Sequence, residues 1–179
     1  MNSVLSDSSI RLVPIEPRHL ERTREWANDP VLKRLILRVS HVSVADQQGW
    51  YENLLADGTR EVFAIEDAAS GEHVGNTGFY HIDRHHGRAE FWILVGDSSR
   101  WGSGLGSRAL ALMLDFGFNT LGLHKIYLNV GAENHRAIAL YERFGFKATG
   151  LMPEHYLIEN QRVDVAHMTL LRSEYESQK

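Results

Sequence analysis

The sequence contains no cysteine. That absence excludes disulfides, thiolate metal sites and a cysteine nucleophile, so any acyl transfer must proceed without a cysteinyl intermediate. No window approaches 18 consecutive apolar residues, and the opening M-N-S-V-L-S-D-S-S lacks the basic-then-apolar pattern of a secretory signal. Positive charge is also scarce. Nineteen Lys and Arg against 23 Asp and Glu give a formal net charge of −4, which argues against nucleic acid or a membrane surface as partner. Internal repeats, low-complexity tracts and Pro/Gly/Ser linkers are missing too. At 179 residues the expectation is one cytoplasmic domain, 1–179, with a real hydrophobic core.

Histidine, by contrast, is plentiful: there are ten, and the densest group is His81, His85 and His86 in H-I-D-R-H-H. They fall in a polar turn between two strand-like runs, with no cysteine or glutamate at metal spacing, and read as solvated loop residues rather than a metal site.

Residues 10–15 (I-R-L-V-P-I) alternate like an opening strand. Residues 17–28 place Leu20, Thr23, Trp26 and Ala27 at helical spacing, with Pro17 at a permitted first-turn position and Pro30 as the stop. A second short helix fits 31–37. A third begins where Ser43 and Asp46 resemble a capping box, and it carries Trp50, Leu54 and Leu55. The period then changes to three β-rich runs, 61–67, 73–82 and 88–95, joined by short turns as in an antiparallel meander. Leu105, Ala109, Leu112, Met113 and Phe116 mark one face of an amphipathic helix, and 124–130 is a buried-type strand. A short helix over 136–143 is stopped by Gly145, and strands near 146–158 and 162–171 close the chain. Strands 88–95 and 124–130 flank a crossover helix, so they should be parallel neighbours in a mixed sheet.

Between strand 88–95 and its helix lies S-R-W-G-S-G-L-G-S-R-A-L (99–110), with glycines at 102, 104 and 106. N–H groups at a helix start lack intrahelical partners, and the helix dipole adds partial positive charge. Glycine lets such a backbone turn sharply and approach a ligand, so the product is a pocket for phosphate oxygens. The spacing is not G-x-x-x-x-G-K-[ST], and antiparallel strands precede it, so neither an NTPase P-loop nor a dinucleotide fingerprint applies.

W-G-S-G-L-G (101–106) resembles the pyrophosphate-binding motif [Q/R]-x-x-G-x-[G/A] of the GCN5-related N-acetyltransferases (GNAT), with Trp101 at the Gln/Arg position. E-N-H-R-A-I-A-L-Y-E-R-F-G-F (133–146) is similar to the family's second signature, N-x-x-A-x-x-x-Y-x-x-x-G-F. Element order agrees along essentially the whole chain. The resemblance implies an α/β (α+β) GNAT fold, with a mixed sheet of about seven strands and flanking helices. It also implies acetyl-CoA as co-substrate and no metal. Trp101, Gly102, Ser103, Gly104, Leu105, Gly106 and Ser107 would then form the pyrophosphate wall, with Arg100 or Arg108 screening charge at its rim. The backbone of Ile93, Leu94 and Val95 would pair with pantetheine, Asn134 would hold the same arm or cap its helix, and Arg136 would meet a phosphate.

An alkylamine with a pKa near 10.4 must lose a proton before it can attack, at a cost of roughly 4.6 kcal/mol at pH 7. Tyr141, at the family's signature tyrosine, is the candidate acid for the leaving thiolate; Ala137, Leu140 and Phe144 beside it fit a packing role equally. Glu90, amid Phe91, Trp92 and Ile93, is the candidate base, against the alternatives of an ion pair with Arg88 or a buried structural hydrogen bond. The acceptor is less legible. Segment 31–42 carries Lys33, Arg34 and Arg38 without an acid, which fits a small or nucleotide-linked amine with anionic parts. W-A-N-D-P (26–30) is also similar to amino-sugar acetyltransferases of the family. A protein N-terminus comes next, and polyamine third, with Glu154 in E-H-Y as a carboxylate to offer. A CoA-binding module without turnover is the reading from another class, and a homodimer through terminal strands is the expected assembly.

Overall fold

The computed structural model describes residues 4–178. One mixed sheet of eight strands runs in the order β1-β2-β3-β4-β5-β6-β8-β7. The strands are β1 (Leu5–Ser6), β2 (Ile10–Pro14), β3 (Glu61–Asp67), β4 (His73–Asp83), β5 (Arg88–Val95), β6 (Lys125–Gly131), β7 (Lys147–Ile158) and β8 (Gln161–Leu171). Every neighbouring pair is antiparallel except β5 and β6, which run parallel as their crossover helix requires. The strand beyond the seven expected is β1. At two residues it is too short to show a period, and it exists only by pairing with β2.

Six helices flank the sheet among the described residues: α1 (Pro17–Asn28), α2 (Pro30–Leu35), α3 (Val44–Ala56), α4 (Leu105–Asp115), α5 (His135–Arg143) and α6 (Arg172–Glu176). The Ser43–Asp46 capping box forms as the sequence predicts. Phe116 is not part of α4 but opens a π-helical turn, Phe116–Thr120, in which Phe116, Gly117 and Phe118 are buried. Gly117 has to be glycine there, because a Cβ would lie 2.8 Å from both Ile126 and Phe79.

The main core joins α4 to one sheet face: Leu105, Ala109, Leu110, Met113 and Leu114 pack on Phe63, Phe79, Phe91, Ile126 and Leu128. A second, smaller cluster of Trp26, Leu32 and Leu94, with Ile36, Trp92 and Trp101 against it, occupies the other face. Strand alternation thus divides β5. Ala89 and Phe91 go to the α4 side, whereas Trp92 and Leu94 go to the α1–α2 side.

Behind α1, His73 is wedged between His19 and Trp26, with ring centroids at 4.8 and 4.7 Å. His19 Nδ1 accepts from the Glu16 N–H, so its Nε2–H faces Glu66 Oε1 at 3.2 Å. Burial pulls His73 down from the ordinary imidazole value of 6.5 to about 4, and it pulls His19 down as well. The unfolded chain therefore binds protons between pH 6.5 and 4 that the native state refuses. Stability is full above pH 6.5 and falls as pH drops through this window. Urea unfolding at pH 7 and pH 5 should differ by about 1–2 kcal/mol from His73, and a His73→Gln protein should lose part of that difference.

Candidate active site

The parallel ladder between β5 and β6 is short. It holds Arg88↔Lys125, Ala89↔Ile126 and Glu90↔Tyr127 and then ends, although β5 continues to Val95 and β6 to Gly131. The two strands splay, and residues 91–95 keep ladder partners only on β4. An edge opened inside a sheet leaves main-chain donors and acceptors for an extended ligand. A cleft of about 1080 Å³ occupies the opening, and Ile93, Leu94, Val95, Asn129 and Val130 line it.

At one end of this cleft stands the N-terminus of α4. Gly102 and Gly104 have φ of 84° and 89°, and a Cβ on either would meet nothing within 4 Å. Gly104 is the N-cap, offers no side-chain cap, and its carbonyl already receives the Arg108 N–H. The N–H groups of Leu105, Gly106 and Ser107 have no acceptor among the described residues and border the cleft. An uncapped start on an 11-residue helix offers unpaired N–H donors of the kind anions use. At the glycine motif left-handed backbone shapes this helix start, and the missing side chains keep it open.

Trp101 borders the same end. Its indole N–H donates to the Val95 carbonyl at 2.8 Å, and the Arg136 guanidinium lies 5.0 Å over its ring. Arg136 lines the cleft and has no ion pair with a carboxylate among the described residues. Of the arginines expected at the rim, Arg100 lines the cleft and is also ion-paired with Asp67 and Glu72, whereas Arg108 is paired with Asp7. The Ser103 hydroxyl donates to the Arg100 carbonyl, and the residue lies outside the cleft lining.

α5 supplies the other wall. Asn134 Oδ1 caps the helix by accepting from the Ala137 N–H at 3.2 Å, and the residue also lines the cleft. Tyr141 is 7% exposed, sits edge-on to Phe91 and tilted to Phe146, and borders the cleft between the splayed strands. Burial alone pushes its phenol well above the ordinary value of 10, so it stays protonated.

Glu90 lies where the ladder ends, with its side chain 23% exposed. Arg88 is not its partner, being drawn to Asp83 instead. Asn129 Nδ2 donates to Glu90 Oε1 at 2.9 Å, and Asn129 Oδ1 faces His167 Nδ1 at 2.9 Å. Asn129 thus fixes one carboxylate oxygen, and the other faces His81. Asn129 was a legible signal, a polar residue inside an apolar strand run. His81 lies in β4, within the run expected as a strand, and its side chain is solvated; its Nε2 lies 3.6 Å from Glu90 Oε2.

Beyond Glu90 the cleft is walled by Leu32, Leu35, Ile36, Leu37 and Val42 with Trp50, Tyr80 and Trp92. Its carboxylates are Asp46 and Glu90; Glu154, the acid expected from the closing strands, is outside the lining.

A splayed parallel strand pair, an uncapped helix start beside it and a buried phenol in the gap define an acyltransferase that holds a long phosphorylated thioester. This chain belongs to the GNAT acetyltransferase family, whose domain model matches residues 9–147. It is similar to spermidine N(1)-acetyltransferase of Escherichia coli (strain K12), 29% identical over 95% of this chain and 90% of that protein. Against the Vibrio cholerae spermidine N(1)-acetyltransferase it is 34% identical over 70% of this chain and 71% of that one. A crystal structure of spermidine N-acetyltransferase from Vibrio cholerae, in complex with CoA and spermine, superposes with a TM-score of 0.89. That structure is 29% identical, and the match covers 95% of this chain and 99% of the other. The protein is thus an N-acetyltransferase with acetyl-CoA as its donor, and a binding module without turnover is set aside.

Proposed function

We propose that this enzyme acetylates a small primary amine by direct attack on acetyl-CoA in a ternary complex. The observation that carries the reading is that Glu90, Tyr141 and the bare α4 amides all border one cleft. The absence of cysteine leaves the amine itself as nucleophile. In this reading α4 and Arg136 hold the diphosphate, residues 91–95 pair with pantetheine, Glu90 removes the amine proton, and Tyr141 donates to the departing sulfur.

A polyamine stands first as acceptor. The relatives named for spermidine support it, and Asp46 and Glu90 put two carboxylates in the half of the cleft beyond the gap. One observation favours a second reading. Arg38 lines the same half without an ion-pair partner among the described residues, and Leu37 before it holds φ at 56°, a conformation costly for leucine. A cation there repels a polycation and suits an amine that also bears a carboxylate or phosphate, such as a nucleotide-linked amino sugar.

Acetyl-CoA turnover against spermidine, amino acids, UDP-amino sugars and short peptides separates the two. Spermidine should give the highest kcat/KM, and Arg38→Gln should leave or lower its KM. If an anionic amine leads instead, Arg38→Gln should raise that KM about tenfold, the size of one charge-assisted contact. No thiol release with any amine defeats the proposal.

A further inference from the structure

The geometry points to His81 as the residue that carries the acceptor's proton from Glu90 to solvent. The inference rests on the reading of Glu90 as the base. An ammonium acceptor and a thioester give an amide, a thiol and one free proton: a C–N bond forms, a C–S bond breaks, and nitrogen loses two protons. One of them ends on sulfur, by replacing the proton that Tyr141 gives. The other has to leave.

Its way out is constrained. Glu90 Oε1 is held by Asn129, and the acceptor itself would cover Glu90 from the cleft side. His81 stands on the opposite side. Its Nε2 is 3.6 Å from Glu90 Oε2, its side chain is 69% exposed, and it is absent from the cleft lining. It borders instead a separate shallow depression with Gly58, Thr59, Asp83 and Tyr127. One imidazole therefore stands between the partly buried base and bulk water. It accepts at Nε2 and releases at Nδ1.

The backbone supports the assignment independently. β4 and β5 lose register between Tyr80 and Asp83, and His81 sits in that irregularity at φ 52°. A bulge re-aims a side chain, and a left-handed non-glycine residue is uncommon and concentrates at functional sites. Regular pairing would alternate residue 81 away from its present face; the bulge turns it onto Glu90.

The test is His81→Asn, which tolerates the left-handed backbone but carries no proton. With a turned-over amine in dilute buffer, and acetylated product measured directly, kcat should fall about tenfold while the KM for acetyl-CoA is unchanged. Added imidazole should restore most of the loss, with no effect on the unmodified enzyme. A variant as fast as the parent overturns the inference, and so does a deficit that imidazole leaves in place, since His81 would then be structural. Failure of the parent enzyme on every amine would instead overturn the reading of Glu90 beneath it.

Discussion

Gly104→Val should weaken CoA binding by at least about 100-fold, or roughly 2.7 kcal/mol, and leave a folded protein. Two effects act in the same direction. The backbone at Gly104 has φ 89°, so valine there is strained by roughly 1–2 kcal/mol and pulls the turn toward negative φ. That rotation moves the N–H groups of residues 105–107 away from the positions at which they converge. The Cβ also enters open space, where nothing lies within 4 Å, and that space is the cleft the diphosphate would fill. The fold survives because the core face of α4, Leu105, Ala109, Leu110, Met113 and Leu114, is untouched. Calorimetry with CoA and a thermal melt measure the two halves separately. An unchanged Kd in a folded variant would show that the helix start does not hold the cofactor.

The second large effect is expected at Tyr141. Phenylalanine preserves the ring, its edge contact to Phe91 at 6.3 Å and its packing on Phe146 at 5.8 Å, and removes only the hydroxyl. Loss of a positioned acid should cut kcat by about 10²–10³ and leave the affinity for CoA as it was. Because burial drives the Tyr141 phenol upward, the residue remains a donor throughout the neutral range. The alkaline limb of the rate profile below pH 10 should therefore not belong to it, and Tyr141→Phe should lower the profile without shifting it. Full activity in the variant would reduce Tyr141 to a packing residue.

Much of this was legible along the chain because its signals are local. The glycines at 102 and 104 announce left-handed backbone, Asn134 announces a cap, and the change from period 3.6 to period 2 near residue 60 announces the meander. Where the reading slipped, the missing information lay in another element. Arg100 and Arg108 looked free because Asp67, Glu72 and Asp7 are 28–101 positions away in sequence. Segment 31–42 offered no acid because the carboxylates that share its cleft come from elsewhere: Asp46 was visible only as a cap, and Glu90 lies on a distant strand. The turn of His81 toward Glu90 was hidden because a bulge has no periodicity to reveal it.

By itself the sequence determined which chemistry was open to this protein. Without cysteine no cysteinyl intermediate is open to it, and glycines at and beside the start of an amphipathic helix keep main-chain N–H groups accessible. Both follow from what a side chain, or its lack, permits at one position. Only the tertiary structure decided which of these groups share one cleft. A parallel ladder that stops after three residue pairs opens the sheet between β5 and β6 and brings residues 90, 104, 129 and 141 to a common gap. The length of a ladder is set by packing from both faces of a sheet, and no single stretch of chain encodes that.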